Sequence, residues 1–577
     1  MSPSLLLWSL CCLLVGLGAF GLWPYVSDDA LISLQYARHL AEGVGLIWNP
    51  TDAPVEGFSN PLWVLFEAGL ISLGMAPLRV ARALSMTGAV LLYRTATPGR
   101  PERTQTAVVL MVIMASALPF SVAAVAGLET TWVAALALLA ARHHRNWRGA
   151  AALAALALLR ADGLIFVFGA ILGVVGSKFR QWIWDSSTRK ELFRLVLPAC
   201  IISILWFGFR GWYYGQWLPN TVALKMDLNI ASTLRGAGYV CSALAATPLL
   251  PVLALVTLAR RSLTPVERVA LTMVSVWLVH VVVAGGDFMP GYRFFVPALA
   301  LFALIAHAEV KRLMRKGPVW AMILLALAVG QIGLQTRDPL VSSQRFEAIV
   351  PPCAALGQSL AKMAQQQDPL IAVNMAGCLP FFSRLRALDM GGVNDRHIAR
   401  SPIADAGSGW ASHERGDGVY VLKRQPDLVQ FCGPQGAVEP CFASGKELKG
   451  LPGFVDRYRL VQLQIHRTSR ALVYIRVDSP AFGVARTETG WRVQPWLIAG
   501  GAGPVSQLTA SGSMRLPIKA QQRLVWTLPE GVGPVTAVQQ SGVRIDILPR
   551  SDGRQQLTLN AQIDTTLTAV QLTVHRP

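Results

Sequence analysis

Eleven apolar segments run through the first 332 residues, and they limit the fold more than any other feature of the chain. They are Leu5–Trp23, Leu78–Tyr93, Thr106–Val122, Thr130–Ala141, Ala150–Leu159, Leu164–Gly176, Leu192–Phe209, Val240–Leu258, Val269–Ala284, Phe294–Ala308 and Pro318–Ile332. In a bilayer every backbone N–H and C=O must be paired within the protein, so the expected answer is a bundle of helices. Several segments are shorter than the ~20 residues a span needs, so their ends must extend or they pack inside the bundle. With 53% hydrophobic and 15% charged residues, the chain is too apolar for a soluble enzyme. The predicted class is a polytopic α-helical membrane domain followed by a soluble α/β and β-rich domain.

Charge supplies the topology. The formal charge is +19, but the basic residues sit in short loops between apolar segments, so nucleic acid is not the expected partner. Arg94, Arg100 and Arg103 share one side with Arg142, Arg145 and Arg148, with Lys178, Arg180, Arg189 and Lys190, with Arg260, Arg261 and Arg268, and with Lys311, Arg312, Arg315 and Lys316. That side is predicted cytoplasmic. The other side receives the loop after Leu5–Trp23, the motifs GLET (Gly127–Thr130) and RADG (Arg160–Gly163), Trp212–Asp227, GGDFMPGYR (Gly285–Arg293), and everything after about Arg337. Leu5–Trp23 reads as a retained helix. Leu62–Met75, which carries Glu67, is kept interfacial, because counting it as a span breaks the charge pattern.

The polar stretch Ser27–Trp63 follows the first segment. Ser27 is a suitable N-cap, and Ala30, Leu34, Ala37 and Ala41 share one helical face, predicting an amphipathic helix at the membrane surface. Asp28 and Asp29 open it. Acids there meet the positive end of the helix dipole, an ordinary structural role. Ionisable groups beside a membrane segment tend to be functional, however, and the loop after them is rich in Trp, Tyr, Phe and Asn, which suit sugars. Trp48 and Asn60 belong to it. The other outer loops add Glu129, Arg160, Asp162, Arg210, Tyr214, Asn220, Lys225, Asp287 and Arg293.

Three regions are expected: 1–336 in the membrane, 337–477 as an α/β region, and 478–577 as a β-rich, sandwich-like module that binds carbohydrate in some folds of this kind. Cys353, Cys378, Cys432 and Cys441 lie in the soluble part. In an oxidising compartment Cys432 and Cys441 can close a small loop, leaving Cys353–Cys378 as the matching pair. No zinc spacing, P-loop or dinucleotide fingerprint occurs.

The acid pair after the first apolar helix resembles the GT-C glycosyltransferase superfamily. The longer string DDALISLQYARHLAEGVGLIWNP…VEGFSNPLW resembles the branch of the mycobacterial terminal arabinofuranosyltransferase and the bacterial pilin arabinosyltransferases. GGDFMPGYR, YYG…LPNT…K and R-x-D-G resemble further motifs of that branch. So do LDMGGVNDRHIAR and SHERGDGVYVLKRQPDLV, the latter carrying His413 and Glu414 but Ser412 where the family tends to have Gly. The resemblance covers scattered segments from Asp28 to about Val429.

It implies a GT-C-like enzyme in the bacterial cytoplasmic membrane, with active site and soluble domain facing outward. A sugar, arabinofuranose by resemblance, would pass from a polyprenyl-phosphate donor to a glycan or protein acceptor. Such chemistry needs a base for the acceptor hydroxyl and cations for the departing phosphate. The family's first acid assigns the base to Asp28, with Asp29 orienting the acceptor or serving instead. Arg293 is the first phosphate-binding candidate, then Lys225 and Arg210. Glu129, Arg160, Asp162, Tyr214, Asn220, Asp287, Trp48, Asn60, His413 and Glu414 complete the expected substrate set. Asp28, Asp29 and Glu129 have the chemistry of a hard-cation site, but such donors do not need a metal in principle, so no metal ligand is assigned, the metal requirement stays open, and no other cofactor is expected. A lipid-linked-sugar flippase is the rival from another class; it calls for inverted repeats or broken midplane helices, and neither is legible. A sugar-binding scaffold is a second.

Overall fold

The computed structural model describes residues 3–97, 104–176, 186–225, 229–342, 348–364, 367–403, 413–466, 469–501, 504–508, 514–530, 532 and 535–574. Arg100, Arg103, Lys178 and Arg180 of the basic loops, and the side chain of Lys225, lie outside the described residues. The chain divides into two compact units, Met1–Ala348 and Ile349–Ala404 with Ser412–Pro577.

The first unit is helical: α1 (Pro3–Phe20), α2 (Asp28–Ala41), α3 (Pro61–Ser72), α4 (Pro77–Ala96), α5 (Thr104–Ala115), α6 (Leu118–Val125), α7 (Thr130–Arg142), α8 (Trp147–Leu159), α9 (Leu164–Gly176), α10 (Ser186–Tyr214), α11 (Asn220–Lys225), α12 (Ile230–Ala246), α13 (Leu249–Arg260), α14 (Pro265–Val283), α15 (Val296–Lys316) and α16 (Pro318–Gln335). By length and composition, four described helices are able to cross a membrane, or six if each of two bent pairs is one span. The expected eleven are therefore not reproduced as full-length spans. Four of the eleven apolar stretches form helices of only 10–17 residues, as does the interfacial segment Pro61–Ser72, and two others break; α4, with Arg79, Arg82 and Arg94, does not qualify as a span. The pair α5–α6 bends by 74° and α12–α13 by 91°. Pro119 and Pro248 sit at these breaks and disfavour helical geometry in the residues before them. Broken helices, not foreseen from sequence, are thus present.

The breaks expose backbone groups that cannot be left unpaired in an apolar interior. Two buried glutamines of α16, one turn apart, take them up. Gln335 accepts from Leu118 N at 2.8 Å and donates to Ser116 O at 2.8 Å. Gln331 accepts from Leu249 N at 3.0 Å and donates to Ser116 Oγ at 2.9 Å.

The helix α2 also departs from expectation. Ser27 stands at its N-cap position, but its side chain makes no capping bond there and instead approaches Met289 Sδ at 3.7 Å. Every residue from Ala30 to His39 is buried, so α2 is an embedded helix. Its buried polar side chains find partners within the unit: Arg38 donates to Gln35, and His39 Nδ1 lies 2.8 Å from Ile47 O.

In the second unit one eight-stranded sheet has the order β14-β9-β8-β4-β5-β3-β1-β2, with β1 Leu370–Val373, β2 Arg386–Asp389, β3 Leu428–Gln430, β4 Tyr458–His466, β5 Ser469–Arg476, β8 Ser506–Leu508, β9 Met514–Ile518 and β14 Thr565–Leu567. The strand β1 pairs in parallel with both β2 and β3; β3, β4 and β5 continue antiparallel. This sheet crosses the boundary expected at residue 478. The remaining strands form a three-stranded sheet, β10 (Arg523–Thr527), β13 (Gln555–Ala561) and β12 (Val543–Pro549), and a four-stranded sheet, β11 (Val535–Ala537), β15 (Val570–Val574), β7 (Gly490–Val493) and β6 (Val484–Arg486). Cys353 is bonded to Cys378 and Cys432 to Cys441, the pairing expected from spacing.

At the end of β2 the DMGGVND segment forms a closed loop. Asp389 accepts from Gly391 N, Asn394 N and Asn394 Nδ2 at 2.7–3.0 Å. Burial pushes its carboxyl up to about 6, with these donors opposing the shift.

Candidate active site

Within the first unit, the acids at the start of α2 lie close to the GGDFMPGYR loop. Gly285 (φ +81°) and Gly286 (φ +74°) turn that loop after α14, and Tyr292 adopts a left-handed φ of 48° just before Arg293. Such angles suit glycine and are uncommon elsewhere. The loop delivers Arg293 between two carboxylates. Asp287 takes Nε at 2.6 Å and Nη2 at 3.4 Å, and Asp29 takes Nη1 at 2.9 Å. The Asp29 side chain is 41% exposed, against 4% for Asp287 and 13% for Arg293. Asp28 is half-buried on the same first turn.

A second arginine centre adjoins it. Arg160 donates to Glu129 Oε1 at 2.8 Å and holds both oxygens of Asp162 at 2.7 and 2.8 Å. Glu129 Oε2 in turn receives Asn60 Nδ2 at 2.8 Å, and Asn60 bonds Ser33 on α2. His280 of α14 lies 3.6 Å from Asp162. The guanidinium groups of Arg160 and Arg293 both sit 5.1 Å from the Phe294 ring centre. Asp29, Ser33, Asn60, Glu129, Arg160, Asp162, Asp287 and Arg293 therefore form one linked set, tied to α2 at two positions a single turn apart.

The other expected residues fall elsewhere. Arg210 is held by Glu56 at 2.5 and 3.2 Å, both side chains being buried. Asn220 N donates to Glu56 O at 3.0 Å. The Tyr214 hydroxyl donates to Leu46 O, and Trp48 packs 5.8 Å from the Tyr36 ring. These four line the fold around the 42–60 loop. His413, whose ring is 4.8 Å from that of Phe442, and Glu414 belong to the second unit.

Three participants were not singled out by sequence reasoning: Glu56, Ser33 and His280. Glu56 lies inside the VEGFSNP string, so its position was visible although its partner was not. Glu67 turns out to be fully buried, and neither carboxyl oxygen has a hydrogen-bond partner among the described residues. A narrow apolar slot, with room inside for no more than about one water molecule, is lined by Tyr25, Val122, Ala126, Leu128 and Met289 and ends on Arg293. Among the described residues, no group of three or more His, Cys, Asp or Glu side chains is placed to hold a metal ion.

Residues 340–481 match a family model described as a domain of unknown function (DUF8728). No curated protein matches the chain. Among solved structures, the chain is similar to ArnT from Cupriavidus metallidurans bound to undecaprenyl phosphate, with 15% identity, 68% of this chain and 87% of the other covered, and a TM-score of 0.49. The same protein in the apo state gives 15% identity, 67% and 85% coverage, and a TM-score of 0.47.

Proposed function

We propose that this is an integral membrane glycosyltransferase using a polyprenyl-phosphate-linked sugar, arabinofuranose by resemblance, and an extracytoplasmic glycan or protein acceptor. The observation that carries the reading is the Asp29–Arg293–Asp287 cluster at the first turn of α2, beside an apolar slot. It joins an acid pair to a partly exposed guanidinium and an apolar surface, the three features such a donor and its reaction require.

In this reading Asp28 takes the proton of the acceptor hydroxyl as its oxygen attacks the anomeric carbon. The bond to the donor phosphate breaks, and Arg293 holds the phosphate as negative charge gathers on it. One displacement inverts the anomeric centre, by the logic of inverting glycosidases. The outer face is the expected location of the site and of the second unit.

The two broken helices favour a second reading, a flippase for the same lipid, because discontinuous helices are the usual frame of transporter sites. Purified protein supplied with a radiolabelled polyprenyl-phosphate arabinofuranose separates them. Label appearing in acceptor supports the transferase. Label crossing a vesicle membrane without transfer supports the flippase. Arg293→Ala is expected to weaken donor binding strongly and Arg293→Lys to restore only part, since an ammonium lacks the planar fork. Intact binding and transfer in Arg293→Ala would remove Arg293 from the mechanism.

A further inference from the structure

We infer that Asp29 is an exchangeable counter-ion: it holds the Nη1–Nη2 edge of the Arg293 guanidinium through a single bond, and it yields that place to the phosphate of a prenyl-phosphate ligand. The inference rests on the reading of Arg293 as the phosphate-binding group.

A guanidinium has two edges that receive an oxyanion through parallel bonds, and two faces. The Nε–Nη2 edge of Arg293 is filled by both oxygens of Asp287, at 2.6 and 3.4 Å. One face lies against Phe294, 5.1 Å from the ring centre. What remains for a phosphate is the Nη1–Nη2 edge, and Asp29 Oδ2 holds its Nη1 at 2.9 Å.

The two acids are unequal. Asp287 makes two bonds and is 4% exposed; Asp29 makes one and is 41% exposed. Asp287 orients the fork from the protein side, whereas Asp29 neutralises it from the open side. A phosphate oxygen pair spans the edge that Asp29 only half fills, so exchange replaces one bond with two. Displaced Asp29 remains on the first turn of α2, where the helix dipole favours its charge. Donor binding thereby releases a carboxylate on the face where the acceptor hydroxyl must be activated.

The test is binding of farnesyl phosphate, and separately of inorganic phosphate, to the purified full chain in detergent by calorimetry. Losing one charge-assisted bond that must otherwise be broken is expected to tighten farnesyl phosphate binding by Asp29→Ala about tenfold, while sugar transfer slows. Parallel tightening of inorganic phosphate assigns the exchange to the headgroup; tightening of farnesyl phosphate alone means that contacts of the prenyl chain are needed too. Asp29→Asn, which keeps an acceptor without the charge, should tighten less and serves if the alanine variant does not fold. A merely structural Asp29 predicts the reverse: weaker binding as Arg293 loses its position. Unchanged or weaker binding in a variant that melts like the wild type overturns the inference and leaves Arg293 in place. Wild-type binding no tighter than that of Arg293→Ala removes the phosphate reading itself, and the inference with it.

Discussion

Arg210 and Arg293 both belong to motifs expected in outer loops and both are paired with acids, yet they end in different states, Arg210 near the end of helix α10 and Arg293 after the GGDFMPGYR turn. Arg210 is enclosed: Glu56 takes two of its five N–H donors and Trp217 O a third at 3.2 Å, and neither charged side chain is more than 4% exposed. Arg293 is held on one edge and guarded on the other by an acid that faces solvent. A pair buried this fully is shielded from solvent, which favours a structural place in the fold over a ligand-binding one. A pair with an open edge keeps a charge available at low cost in desolvation. Sequence ranks the two arginines close together because residue type and expected loop position are the same; the partner decides.

The largest effect that would test this contrast lies on the Arg293 side. Asp28→Asn keeps size and polarity but removes proton acceptance, and transfer is expected to fall by roughly 10²–10⁴-fold. Donor binding and melting temperature should stay near wild type, since the amide still hydrogen-bonds. A rate within a few-fold of wild type, in protein that binds donor, would move the base to Asp29.

The next effect lies on the Arg210 side and should be read in stability. Arg210→Met strands a buried Glu56 carboxylate, and breaking such a pair typically costs about 3–5 kcal/mol. Arg210→Met combined with Glu56→Gln should recover much of this, because no uncompensated charge remains. Thermal melting measures both variants, and transfer by the folded double variant should persist. Loss of donor binding in a stable double variant would instead return Arg210 to the phosphate site and erase the contrast.

Much of this was legible beforehand, and the gaps have physical causes. The acid pair, the GGDFMPGYR arginine and the GLET and RADG residues could be assembled on one face because hydropathy and basic loops order a membrane chain in one dimension. The cysteine pairs followed from spacing. The burial of α2 was hidden, because Gln35, Arg38 and His39 look like a solvent face until their internal partners are known. The bends at Pro119 and Pro248 were hidden because both prolines lie in otherwise continuous apolar runs. Gln331 and Gln335, which satisfy the broken backbone, read as stray polar residues in a span.

The smallest expected effect extends the contrast to an acid with no cation at all. Asp389 is buried and faced by three N–H donors, and burial lifts its carboxyl to about 6 from an ordinary 3.8. Between these values the unfolded chain has released the proton while the folded unit still holds it. Stability of the second unit should therefore fall as pH rises from about 4 to about 6 and level off above, a change of roughly 3 kcal/mol at most. Asp389→Asn should be less stable throughout, because an amide cannot accept from all three donors, but its stability should not follow this pH course. Pulse proteolysis in urea, scoring cleavage between Leu370 and Gln430 in the full chain at pH 4.5 and 7, reads both. A wild-type second unit that gains stability over that range, with the gain absent in Asp389→Asn, would show that the three donors outweigh burial. Asp389 would then be held as a carboxylate by two backbone N–H groups and the Asn394 side-chain amide, where Glu56 is held by Arg210.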